Sequence, residues 1–154
     1  MQKQVIGRST EISDTLWLDL ESKAAVEITS EDPARPIESA LRPGEKAGWR
    51  AADPGPQVIR LVFNQPQRIS QVRLKFTERE RERTQEFVLG WAKDRSHPLQ
   101  DIVRQQWNFS PQESTEELED YRVNLDGTAI LELKVNPDVS GREAFASLDE
   151  FRIA

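Results

Sequence analysis

Cysteine is absent, and histidine, tyrosine and methionine each occur once in 154 residues. Without thiols there is no disulfide framework, no thiolate metal site and no cysteine nucleophile. A single histidine leaves only carboxylates to complete a zinc site, so no metal and no cofactor is expected. Surplus positive charge is missing as well. Lys and Arg number 21 against 27 Asp and Glu, for a net charge of −6, so no excess of cations stands ready to displace the counterions of a nucleic acid. The chain has no apolar run near the ~20 residues that cross a bilayer. Residues 1–10 lack the roughly 7–15-residue apolar stretch of a secretory signal. With Met1 as the start, a cytoplasmic protein is expected, with neither nucleic acid nor membrane as partner. The glycines form no phosphate-cradling motif.

What remains is a polar chain with a strong two-residue period. Hydrophobic residues make up 36% and charged residues 31%, enough apolar content for one domain of this length to bury a core. The nine prolines and seven glycines are scattered singly, as loop punctuation. Ile59, Leu61 and Phe63 share one strand face. Val72, Leu74 and Phe76 share another, opposite Gln71, Arg73 and Lys75. Phe87, Leu89 and Trp91 repeat the alternation, as do Val103, Trp107 and Phe109 with Gln105 interrupting. Tyr121, Val123 and Leu125 run into Asp126-Gly127, which reads as a hairpin turn before Leu131, Leu133 and Val135. Phe151 and Ile153 close a last strand that begins near Ala144. Residues 112–120 suit one helical turn capped by Ser114, with Glu117 completing a capping box. The expectation is an all-β fold, an antiparallel sandwich or jelly roll of about eight strands. Residues 1–154 form a single domain in this reading, with 1–23 an extension packing on it.

The order of signals resembles the discoidin domain, also called coagulation factor 5/8 type C, of the galactose-binding-like fold. Thr29-Ser30 matches the small hydroxyl residues that end the family's first strand. Gly48-Trp49 stands where Thr-x-Trp is found, and residues 58–63 and 69–76 match the apolar strand pair that follows. The family's Asp-Gly element is replaced by Ile37-Glu38-Ser39, so the structural calcium that many members carry near that loop stays open for this chain. Lacking cysteine, the chain is most similar to intracellular or bacterial members. The resemblance covers residues 24–154 and implies a non-catalytic binding module that recognises a carbohydrate or similar polar ligand through loops at one end. The alternative is a cytoplasmic protein-interaction domain on the same scaffold.

The run of residues 78–83, Glu-Arg-Glu-Arg-Glu-Arg, falls where that fold projects a ligand-contacting loop. Its arginines offer planar forks to a carboxylate or to sugar hydroxyls. A solvated hairpin of alternating charge is the plainer reading. Residues 30–36 and 41–48 are the other loops expected at the same end. The candidate ligand-binding residues are Arg35, Arg42, Arg50, Glu78, Arg79 and Arg81. Trp49, Trp91 and Trp107 are expected in the core, and Trp17 is the tryptophan freest to stack on a sugar. Ser96 and His97 adjoin in a turn, so their side chains should diverge and form no triad. Acidic pairs such as Glu116-Glu117 and Asp149-Glu150 offer the carboxylates of a glycoside hydrolase, but nothing in the sequence brings such a pair together in a cleft. No catalytic residue is expected.

Overall fold

The computed structural model describes residues 16–154. Strands β1 (Ala24–Ile28), β2 (Trp49–Arg50), β3 (Gln57–Thr77), β4 (Arg83–Ala92), β5 (Gln100–Phe109), β6 (Glu116–Asn136), β7 (Ser147–Leu148) and β8 (Glu150–Ile153) are joined by loops and by two single-turn helices, α1 (Leu20–Lys23) and α2 (Glu38–Leu41). One six-stranded sheet has the order β1-β3-β6-β4-β5, with β8 on the other half of β3, and β2 pairs with β7 as a separate ribbon. All pairings are antiparallel.

Two of the strands are 21 residues long, and they make the sandwich. Residues 57–63 of β3 lie between β1 and the last third of β6. Residues 69–77 lie between β8 and the first third of β6. Between these halves the pairing register slips three times, from Val62 to Gln71. Such bulges bend and twist a strand pair, and here they turn one sheet into two facing layers. Phe76 of one layer stacks on Phe87 of the other with ring centroids 5.3 Å apart. The alternation read from the sequence therefore points inward as expected, with Ile59, Leu61, Val72, Leu74, Phe76, Phe87, Leu89, Leu131 and Leu133 fully buried.

Two local expectations are corrected. Asp126-Gly127 is no hairpin, because β6 runs through it as the bend opposite Gln67 to Ile69. Gly127 has φ +67° with open space around its α-carbon, so its backbone conformation alone demands glycine. Gly127→Ala should cost about 1 kcal/mol in urea denaturation, and an unchanged midpoint would contradict a left-handed residue at the bend. Residues 112–120 are not helical either. A turn closed by a Ser110–Ser114 bridge leads into β6 at Glu116.

The sequence landmarks come together at one end. Trp49 is fully buried and its indole N–H donates to the Ser30 carbonyl at 3.1 Å. The Thr29 and Ser30 hydroxyls both donate to Gln57 Oε1. Arg152, also buried, donates to the carbonyls of Ala40 and Arg42, clamping the end of α2 to β8. The described part of the N-terminal segment packs on this body: Leu20 is buried and the Leu18 amide donates to the Ile153 carbonyl.

Candidate functional site

A cavity of about 840 Å³ opens at the end of the sandwich where β3 stops and β4 and β6 begin. Its walls come from residues 45–50, the outward side of β3 at Lys75 and Thr77, the loop 78–81, and residues 145–150. Five of the six candidate binding residues line it: Arg35, Arg50, Glu78, Arg79 and Arg81. Arg42 does not. Its guanidinium is taken by Glu21 of α1 and lies 3.8 Å from Glu45, so it braces the N-terminal segment instead of facing the cavity.

Backbone pairing fixes Arg35 and Arg50 side by side. The Asp32 amide donates to the Arg50 carbonyl at 2.8 Å, and the Arg50 amide donates to the Arg35 carbonyl at 3.1 Å. Residues 32–35 thus extend the β2–β7 ribbon. Arg35 Nε donates to the Ala47 carbonyl, and its Nη2 lies 3.9 Å from Asp149 Oδ1. Asp149 also accepts from the Thr77 hydroxyl. The Arg50 guanidinium sits 5.0 Å from the centroid of the Phe145 ring, a cation–π arrangement that holds it in place. Gly48 permits the loop to descend this far: a Cβ there would meet the Leu148 carbonyl at 2.7 Å and Asp149 Cα at 2.8 Å.

The loop 78–81 is anchored from below. Arg83, only 2% exposed, donates to Glu78 Oε1 at 2.7 Å, to Gln85 and to the Pro137 carbonyl, with its guanidinium over the Phe109 ring. Glu78 Oε2 accepts the Glu80 amide. Burial would raise the Glu78 proton affinity, but Arg83 and the amides of Glu80 and Arg81 outweigh it and hold the carboxyl below its ordinary range. Arg81 reaches across to the Glu143 carbonyl at 2.7 Å, tying this loop to the one that carries Phe145. The charge run is therefore a built wall of the cavity, with Glu78 structural and Arg79 exposed.

Phe145, Lys46 and Lys75 also line the cavity and are not among the sequence-based binding candidates; Asp149, which lines it too, enters the sequence reading only as half of an acidic pair. Phe145 had a legible signal: it is an isolated aromatic between Ala144 and Ala146 in a stretch otherwise without large apolar residues. Trp17, favoured for stacking, instead lies over Arg73, with the Arg73 guanidinium 5.1 Å from its ring centroid, and does not line the cavity. Trp91 and Trp107 are half-buried against the core, Trp107 donating to Ser114 Oγ.

Carboxylates do reach the cavity, and Glu116, Asp149 and Glu150 of the two acidic pairs are among them. Among the described residues, the carboxyl with a raised proton affinity, which hydrolysis would need as its acid, is Glu117, and it is fully buried inside the sandwich. The turn at His97 differs from the divergence expected. Asp94 Oδ1 lies 2.7 Å from His97 Nδ1, and Ser96 Oγ lies 3.5 Å from the same nitrogen. With both oxygens addressing one exposed nitrogen, the ring cannot pass a proton from serine to carboxylate as a triad does. Among the described residues no group of three or more His, Asp or Glu is placed to hold a metal ion.

No protein-family model matches the sequence, and no curated protein does. Solved structures do. The family 32 carbohydrate-binding module of Clostridium perfringens NanJ, solved with galactose, is 17% identical, with 89% of this chain and 96% of that chain covered and a TM-score of 0.61. A module of Clostridium perfringens GH89 in complex with GalNAc-β-1,3-galactose is 17% identical over 90% and 99%, at a TM-score of 0.63. The family 32 module of AlyQ, solved with 4,5-unsaturated mannuronic acid, is 16% identical over 91% and 98%, at 0.60. At these identities the likeness is one of fold: the chain is folded as these modules are, on the discoidin or galactose-binding-like plan.

Proposed function

We propose that the protein is a non-catalytic carbohydrate-binding module that takes its sugar in the cavity beside Arg50 and Phe145. The gathering of Arg35, Arg50, Arg79, Arg81 and Phe145 around one cavity of about 840 Å³ carries this reading, since that volume suits a small polar ligand held by a few fixed polar groups. Its neighbours of the same fold were solved with galactose, with a GalNAc-galactose disaccharide and with an unsaturated uronic acid. One of the larger neighbours, a truncated AlyQ of which this chain matches 32%, joins such a module to an alginate lyase domain, which supports a role in presenting a ligand instead of transforming it. The protein-partner alternative needs an apolar docking face, whereas this cavity has charged walls and a single aromatic.

Calorimetric titration with neutral and acidic mono- and oligosaccharides tests the reading. At least one should bind, and Arg50→Ala and Phe145→Ala should each weaken it by about tenfold, the range expected for losing one charged hydrogen-bonding group or one packed ring. Unchanged circular dichroism would separate this loss from unfolding. Absence of binding across the panel would refute the proposal.

A further inference from the structure

Resting on that reading of the cavity, we infer that its sugar bears a carboxylate, as a uronic acid residue does. The lining is nominally balanced, with six cationic and six carboxylate side chains. The carboxylates, however, are largely answered by partners already in place. Glu78 is bound by buried Arg83 at 2.7 Å, and Glu45 lies 3.8 Å from Arg42, neither cation being part of the cavity wall. Glu116 faces Lys75 at 3.9 Å, and Asp149 is engaged by Thr77 and Arg35.

The cations are not answered in the same way. Among the described residues, no carboxylate lies within 4.0 Å of Lys46, Arg50 or Arg79, and Arg81 spends one nitrogen on a backbone carbonyl. Only Glu80 and Glu150 remain against them, and Glu150 adjoins the buried Arg152 charge. Within this cavity Lys46, Arg50, Arg79 and Arg81 thus outnumber the two carboxylates left to face them, although the chain as a whole has a net charge of −6. Concave walls concentrate such a field on an incoming anion. Arg50 is the group to receive it. Its backbone is paired on both sides and its guanidinium rests on Phe145, so its donor fork is ordered before the ligand arrives.

The test uses two matched pairs: trigalacturonate and its trimethyl ester, and triglucuronate and its trimethyl ester, titrated by calorimetry into the intact chain beside galactose. The acid should bind about tenfold or more tightly than its ester, because the ester keeps the shape and loses the charge-assisted bonds. Raising sodium chloride should narrow the gap. The double variant Lys46→Ala/Arg79→Ala, altered at two exposed side chains, should lower the acid-to-ester ratio, and Arg50→Ala should bring it close to one. Equal affinity for acid and ester, or binding of galactose alone, would overturn this inference and leave carbohydrate binding standing. Failure of every sugar to bind would overturn both.

Discussion

Replacing Arg83 with alanine should remove about 3–5 kcal/mol of folding stability, because it strands charge and polar atoms inside the protein. The residue is 2% exposed and its side chain satisfies three acceptors at once: Glu78 Oε1, Gln85 Oε1 and the Pro137 carbonyl. Deleting the guanidinium leaves the Glu78 carboxylate half-buried without its cation and opens a space beneath Phe109. Against a typical total of about 5–15 kcal/mol, such a loss is large. The denaturation midpoint should fall steeply, and a change under about 1 kcal/mol would contradict a buried, fully used arginine. The double variant Arg83→Met/Glu78→Gln makes the argument sharper. Replacing both members of a buried pair with uncharged groups of similar size is often near neutral, so stability should largely return. Ligand affinity should not. Glu78 also fixes the loop through the Glu80 amide, and without the Arg83 anchor Arg79 and Arg81 lose the frame that aims them. Full recovery of both properties would reduce Arg83 to a packing residue.

The same residues illustrate what a one-dimensional reading can and cannot reach. The inward faces of both halves of β3 were legible because Ile59-x-Leu61-x-Phe63 and Val72-x-Leu74-x-Phe76 alternate without error. Their union into one strand was not. The joining residues 64–67, Asn-Gln-Pro-Gln, and the opposing Asp126-Gly127 carry the chemistry of turns. They lie where the sheet crosses between layers, at register slips that tolerate a proline and need a positive φ. Local turn propensity there serves a bend, and only the long-range pairing of Gln67 with Thr128 distinguishes a bend from a reversal. Residues 116–120 misled for the opposite reason. Glu117 sits opposite Phe76 and is buried, so the inward side of that strand looks polar in sequence. At the site, loop position alone selected Arg35, Arg50, Glu78, Arg79 and Arg81. It could not separate them from Arg42, whose partner Glu21 lies in a different segment. Nor could it show that Glu78 is held by Arg83, because that bond depends on how deep β4 begins.

Glu117 supplies the second large effect. Burial disfavours its ionised form, the neighbouring Glu119 carboxylate adds to that, and together they outweigh the Gln85 amide donating at 3.1 Å, so the carboxyl is pushed up to about 8. Its second oxygen, Oε2, has no partner among the described residues. A folded-state value above the unfolded one means that the native state holds a proton the unfolded chain releases. Below pH ~4.5 both states are protonated and the favourable contribution is complete. From there to pH ~8 the unfolded chain ionises while the native one does not, and stability falls by up to ~1.4 kcal/mol per pH unit from this group. Above pH ~8 the loss is complete. Other carboxyls, such as Glu78 and Asp138, are held below their usual range and act oppositely at acid pH, so the wild-type profile alone does not isolate the effect. Glu117→Gln does: the amide keeps the shape, stays neutral and can still accept from Gln85. Between pH 5 and 8.5 the urea-derived stability of the variant should decline less than that of the wild type, with a gap of about 3 kcal/mol in its favour at the alkaline end. Parallel curves across that interval would mean that Glu117 is ionised in the native sandwich, with its charge compensated by the buried Arg83 in spite of Glu119.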